Sequence, residues 1–219
     1  MPELPDTATR HVLEGDCTRC PALAESRNRI SWGQGPLDAD LVVVGEAPGA
    51  GDPDAAVWRG GNHTGMAYTT RHSGRRVRAL AADLGHPDAY FTNAVKCHPP
   101  ENRDPTRTER ETCAAHLADE LAMVAPDAVL ATGKHATASL LELADRSLDG
   151  FVSTVGDCVR DGEPLEWSGV PSGDTTVSPV LVPALHPSYE AVWLSRLDLT
   201  REAYVAGLRD ALRTGRRQD

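Results

Sequence analysis

The chain has 219 residues, a formal net charge of −10 and five cysteines. That length suits one well-buried α/β domain and is short for two, and no apolar stretch approaches the roughly eighteen residues of a membrane span, so no membrane partner is expected. Only Lys96 and Lys134 are lysines, arginine supplies every other basic side chain, and aspartate is frequent. Such a balance is expected of a protein kept soluble in concentrated salt, and outside that setting it would argue against a polyanionic partner.

In chain order, residues 1–10 are expected to be disordered and 11–213 to form the domain. Cys17-Thr18-Arg19-Cys20 comes next. No basic-then-apolar leader precedes it, so a cytoplasmic setting with reduced thiols is expected. Asp40 to Gly45 is a short β-branched run ending in glycine, the pattern of a strand buried on both faces. Asp52 to Thr70 is rich in Gly, Asp, His and Thr without periodicity and reads as a functional or mobile loop. A helix is expected from Arg75 to Leu84 and a strand from Ala89 to Val95, followed by Lys96-Cys97-His98-Pro99-Pro100. Thr106, with Glu109 three residues on, forms a capping box for a helix that reaches Val124 and carries Cys113. The remaining pattern is a strand from Ala128 to Thr132, a helix from His135 to Leu143, a hairpin or surface excursion over 157–176, a strand from Val177 to Leu185 and a helix from about Leu197 to Leu212. Residues 214–219 are expected to be a disordered tail.

Strand and helix thus alternate. The fold class this implies is α/β, doubly wound, a single domain with a mostly parallel central sheet of about four strands flanked by helices and with functional loops at the carboxyl ends of the strands. Three strands end in informative residues: Gly45-Glu46-Ala47-Pro48-Gly49, then Asn93, then Leu185-His186-Pro187-Ser188. Each is ordinary alone, since a GxxPG turn is a common tight loop and an Asn at a strand end is a usual turn residue. Gathered on one rim they form a specific constellation.

Cys17, Cys20, Cys97 and Cys113 supply four thiolates, the ligand set of a [4Fe–4S] cluster or of a structural zinc site. Seventy-six residues separate Cys20 from Cys97 and fifteen separate Cys97 from Cys113. A zinc ribbon usually closes over a shorter stretch, so the spacing suits the cluster better, with the ligands clamping an N-terminal segment onto the domain. Cys158 is left over as a plain core or surface residue.

The runs Cys17 to Pro21, Asp40 to Gly49, Thr92-Asn93-Ala94-Val95-Lys96-Cys97-His98-Pro99-Pro100-Glu101-Asn102-Arg103-Asp104-Pro105-Thr106, and His186-Pro187-Ser188 together closely resemble the family 4 uracil-DNA glycosylases, iron–sulfur members of the uracil-DNA glycosylase superfamily. The resemblance spans about Asp16 to Leu212. It implies a monomeric enzyme that hydrolyses the N-glycosidic bond of uracil in single- or double-stranded DNA and leaves an abasic site, with the base taken out of the stack.

Mapped onto that family, Asn93 pairs with the uracil edge through its carboxamide. His186 stabilises the departing uracil anion, and Ser188 reaches a DNA phosphate. Gly45 and Gly49 let the first loop approach base and sugar, with Glu46 beside the water or sugar and Ala47 at the position that orients the water in other branches. The chain departs from the family pattern after this loop. Thr64-Gly65-Met66-Ala67-Tyr68 replaces a compact Thr-Gly-Arg-Pro-Phe segment, and Tyr68 inherits the stacking role of the phenylalanine or else packs as core. Arg71, Arg75, Arg76 and Arg78 form the strongest local positive patch, either phosphate contacts or a solvated helix face. Lys96 and Arg103 are further phosphate candidates. A non-catalytic nucleic-acid-binding protein of the same fold, a glycosylase of altered base preference and an iron–sulfur redox module are the alternatives.

Overall fold

The computed structural model describes residues 3–172 and 175–214. Short apolar runs give its strands, β1 (Leu41–Gly45), β2 (Tyr90–Asn93), β3 (Ala128–Thr132), β4 (Val170–Ser172), β5 (Thr175–Val177) and β6 (Val180–Ala184). Its helices are α1 (Pro21–Ser26), α2 (Gly61–Thr64), α3 (Ser73–Asp83), α4 (Arg107–Val124), α5 (Lys134–Glu142), α6 (Phe151–Asp161), α7 (Glu190–Leu197) and α8 (Arg201–Thr214). The central sheet has the order β2-β1-β3-β6 and every pairing in it is parallel. β4 and β5 form a separate antiparallel hairpin.

Successive side chains of a strand point to opposite faces, and both faces of this sheet are buried. Leu41, Val43, Phe91, Leu130 and Val182 pack against α3, α6 and α8, whereas Val42, Val44, Tyr90, Val129 and Leu181 pack against α4 and α5. This is the doubly wound arrangement, and it explains why the strands read as continuous apolar runs. Register sets Gly45 opposite Asn93 and Thr132 opposite Ala184, so all four strands of the central sheet end on one rim.

The capping box is present, with the Glu109 N–H donating to Thr106 Oγ1 at 3.2 Å and the Thr106 N–H donating to Glu109 at 2.7 Å. Several expectations need correction. The stretch 157–176 is not simply a surface excursion, because its start belongs to α6 and only its end forms the hairpin. Val, Thr and Gly residues of low helix propensity hid that helix, which tertiary burial of Val155, Cys158 and Val159 sustains. The expected strand from Val177 is broken at Ser178-Pro179, where proline offers no N–H to the ladder. A separate helix, α7, precedes the expected last one. Within 3–10, expected to be disordered, Asp6 caps a 3-10 turn over Thr7–Thr9, and the Gly35 N–H donates to the Thr9 carbonyl at 3.1 Å. The tail expectation falls largely outside the described residues. Among those described, no helix is long and apolar enough to cross a membrane.

Packing of α6 on α8 depends on Gly207, where a Cβ would run into the Val159 carbonyl oxygen. Gly207→Ala should therefore destabilise the fold by about 1–3 kcal/mol through overpacking. A thermal melt reads this, and an unchanged midpoint would show that the two helices are not so closely apposed.

Candidate active site

A cleft of about 620 Å3 opens at the carboxyl rim of the sheet, within the usual range for small-molecule sites. Loops after each central strand line it, and so do all eight sequence-predicted pocket residues: Gly45, Glu46, Ala47, Gly49, Tyr68, Asn93, His186 and Ser188. The four cysteines lie elsewhere, around a small separate cavity.

Gly45, Asn93, Tyr68 and Thr132 meet at the deep end. A Cβ on Gly45 would sit 2.6 Å from both Asn93 Oδ1 and Tyr68 Oη, so this strand end admits glycine alone. Tyr68 has a left-handed backbone (φ 54) that swings its ring inward. Its hydroxyl hydrogen-bonds Thr132 Oγ1, its ring meets Phe91 edge-on at 5.8 Å, and burial pushes its phenol far above the ordinary range. Tyr68 is thus both cleft wall and core. Asn93 is buried, and among the described residues no hydrogen bond occupies its carboxamide. The carboxamide opens onto the cleft, where a ligand or water can complete its hydrogen bonds.

The first loop is tied down by its backbone. The Ala94 and Val95 N–H groups donate to the Gly45 and Glu46 carbonyls at 2.7 and 2.9 Å, and His98 Nδ1 donates to the Pro48 carbonyl at 3.0 Å. His98 is a positioning residue that the sequence signalled only by its place in the motif.

His186 accepts from the Ser188 N–H at Nδ1, 3.2 Å away. Burial lowers the ring's pKa from its ordinary value and so favours the neutral imidazole, and a neutral ring that accepts at Nδ1 carries its one N–H at Nε2. Tyr204 Oη supports the loop from below by accepting from the Leu185 N–H at 2.8 Å. Glu46 is half-buried, and its carboxyl pKa is raised first by burial, with Asp104 adding to the rise while His135 and Arg110 oppose it. Ligating atoms of Glu46, Asp104 and His135 all lie within 4.8 Å of one another, and His135 Nε2 is 3.1 Å from Asp104 Oδ2. Sequence reasoning missed His135 and Asp104 as cleft residues, since a His in the first turn of a helix and an Asp before a Pro carry no local signal.

Two basic candidates are corrected. Arg78 turns inward, donating to the Tyr68 and Ala67 carbonyls at 3.0 and 3.1 Å with its guanidinium 4.1 Å from the Phe91 ring centroid, and burial lowers its pKa to about 10. Lys96 is fully buried against Glu120. Neither can meet a phosphate. Arg103 is forked onto Glu109 at 2.7 and 2.8 Å, and Arg76 donates to the Pro187 carbonyl at 3.1 Å. Arg71 is exposed beside the cleft-lining loop.

Cys17, Cys20, Cys97 and Cys113 gather with Leu23, Ile30, Trp32 and Val95. Arg27 donates to Cys97 Sγ at 3.2 Å and the Lys96 N–H to Cys113 Sγ at 3.4 Å. Burial raises the Cys20, Cys97 and Cys113 thiols, the last to about 11. Cys158 is buried on α6, where desolvation pushes its thiol to about 12 and makes it inert.

The family profile described as the uracil DNA glycosylase superfamily matches residues 32–213. A type-4 uracil-DNA glycosylase of Pyrobaculum aerophilum is 31% identical over 157 residues, covering 71% of this chain and 74% of the relative. The type-4 uracil-DNA glycosylase of Thermotoga maritima is 31% identical over 175 residues, 79% of this chain and 77% of its own. A type-5 uracil-DNA glycosylase of Pyrobaculum aerophilum is 31% identical over 185 residues, with 71% and 74% covered.

Glu46 gives the site a measurable energetic signature. With its folded pKa raised above 4.5, the carboxyl favours the folded state only while protonated, and a penalty develops as pH rises from the unfolded value through the folded one. Glu46→Gln should thus melt higher than wild type at pH 7 and lose that advantage below about pH 4. A melting series across pH checks it, and a variant less stable at pH 7 would show that the carboxylate braces the loop.

Proposed function

The chain belongs to the uracil DNA glycosylase superfamily, and we propose that it hydrolyses the N-glycosidic bond of uracil in DNA, leaving an abasic site for repair. The observation that carries this reading is the convergence, in one cleft, of the Asn93 carboxamide, free of protein hydrogen bonds among the described residues, and the His186 ring, whose Nδ1 accepts from the Ser188 N–H so that Nε2 is left to donate. Uracil presents an acceptor and a donor side by side, which the amide donor and carbonyl of Asn93 match. Cytosine reverses both. The base is flipped out of the stack to reach this depth, with the Tyr68 ring as its stacking wall.

As the glycosidic bond breaks, the electron pair leaves with uracil and negative charge grows on its O2. The Nε2–H of His186 stabilises that oxyanion. Positive charge grows on the sugar, where the Glu46 carboxylate stabilises it and orients the attacking water. Ala47 and Gly49 keep the first loop slim beside the sugar, and Ser188 with Arg71 meets the phosphate backbone. The enzyme is read as a cytoplasmic monomer acting on single- or double-stranded uracil-containing DNA, in the concentrated salt its acidic, lysine-poor composition suits.

Cys17, Cys20, Cys97 and Cys113 would hold a [4Fe–4S] cluster, which supplies a structural clamp. Two N–H groups aimed at sulfur fit such thiolates. The long separation of Cys20, Cys97 and Cys113 along the chain suits the cluster better than a zinc ribbon.

Incubation with a uracil-containing oligonucleotide in high salt, followed by alkaline cleavage, should give a strand break at the uracil. No break above control would refute the enzyme reading. His186→Ala should slow single-turnover excision by on the order of 10²–10³ while binding of a non-cleavable uracil analogue changes little. Equal losses in both would assign His186 to binding or loop structure instead. The purified protein should be straw-brown and contain iron, whereas a colourless preparation with stoichiometric zinc would replace the cluster with a zinc clamp.

A further inference from the structure

Lysine is nearly absent from this chain, yet one of its two lysines is sealed in the interior. Lys96 and Glu120 have side chains 1% and 0% exposed and pair at 2.6 Å. Taking two such charges out of water costs several kcal/mol per ion, and the pair recovers this only if every donor and acceptor is satisfied. Here they are. The ammonium has three N–H groups and three acceptors: Glu120 Oε2 at 2.6 Å, Thr92 Oγ1 at 2.8 Å and the main-chain carbonyl of Asn93 at 2.6 Å. Glu120 also accepts from the Thr92 hydroxyl, and its other oxygen takes the Gly33 N–H at 2.8 Å. A forked, planar guanidinium would not fit three acceptors set around one point, which accounts for lysine where arginine is used almost everywhere else.

The carbonyl that Lys96 grips belongs to the residue whose amide faces the cleft. The main-chain N–H of Lys96 meanwhile points at Cys113 Sγ, and its carbonyl accepts from the Ser31 N–H at 2.7 Å. We propose that the Lys96–Glu120 pair is a positioning device for uracil recognition, locking the peptide of Asn93 so that its carboxamide is held in one orientation before the base arrives. The pair touches no substrate. It acts through Asn93, and it gives the clamped segment a mechanical link to the base pocket. This inference rests on the reading of Asn93 as the residue that pairs with uracil.

A test that separates positioning from folding uses Lys96→Met/Glu120→Gln, in which both charges go together and the Gly33 N–H keeps an acceptor. Removing both partners of a buried pair is often neutral for stability, unlike removing one. Melting midpoint and iron content should stay near wild type, as should affinity for DNA carrying cytosine at the probed position. The wild-type preference for the same oligonucleotide with a non-cleavable uracil nucleotide, expected on the order of tenfold or more, should largely vanish. Single-turnover excision should fall by about 10²-fold, the scale of a misplaced recognition group.

Thr92→Val is the milder second variant, removing the hydroxyl shared by Lys96 and Glu120. It should lower the uracil preference by about threefold, under 1 kcal/mol, and it decides the matter if the double variant does not fold. A folded double variant, or failing that Thr92→Val, with undiminished uracil preference would overturn the positioning role alone. A wild type without uracil preference would instead overturn the reading of Asn93, and the positioning role with it.

Discussion

Five consecutive residues, Asn93 to Cys97, carry the constraint on which the rest of the site depends. Sheet register fixes one end, setting Asn93 opposite Gly45 with no room for a side chain between them. The cysteine cluster fixes the other end. Between them the Ala94 and Val95 N–H groups hold the first loop by its carbonyls, and the buried ammonium of Lys96 holds Asn93. Rigid elements at this precision are what a recognition site needs, because a group that must be ordered on binding loses affinity to its own entropy. The same five residues therefore link strand, loop, clamp and pocket.

Several basic side chains around the site are engaged by the protein itself. Arg27 faces a thiol, Arg78 two carbonyls and an aromatic ring, Arg103 a carboxylate, and Lys96 lies under the pocket. Other arginines stay exposed, Arg71 and Arg76 near the cleft among them, so positive charge remains at the rim while the inward-facing groups brace the loops that line it.

Much of this was legible in the sequence. Val42-Val43-Val44, Val129-Leu130 and Leu181-Val182 announced strands buried on both faces, and Thr106 with Glu109 announced the start of α4. The rim residues were legible because each follows such a strand directly. What escaped was decided by tertiary context. The residues of α6 have weak intrinsic helicity and fold as a helix because their apolar face meets α8. Lys96 read as a phosphate candidate, and Arg78 as that or part of a solvated helix face, because an isolated basic residue carries no mark of burial; only the opposing Glu120 and the carbonyls of Ala67 and Tyr68 reveal their use. His135, in the first turn of α5, and Asp104, in the loop before α4, come to Glu46 from separate parts of the chain, a proximity that no spacing rule contains.

A crystal structure with free uracil bound would show directly whether Asn93 pairs with the base and His186 meets the leaving-group oxygen. Uracil should lie at the deep end of the cleft, its N3–H and O4 edge on the Asn93 carboxamide at about 2.9 Å and its O2 facing His186 Nε2, with the Tyr68 ring against the base. Uracil bound with O2 turned away from His186, or lodged outside the pocket formed by Gly45, Tyr68 and Asn93, would contradict these assignments.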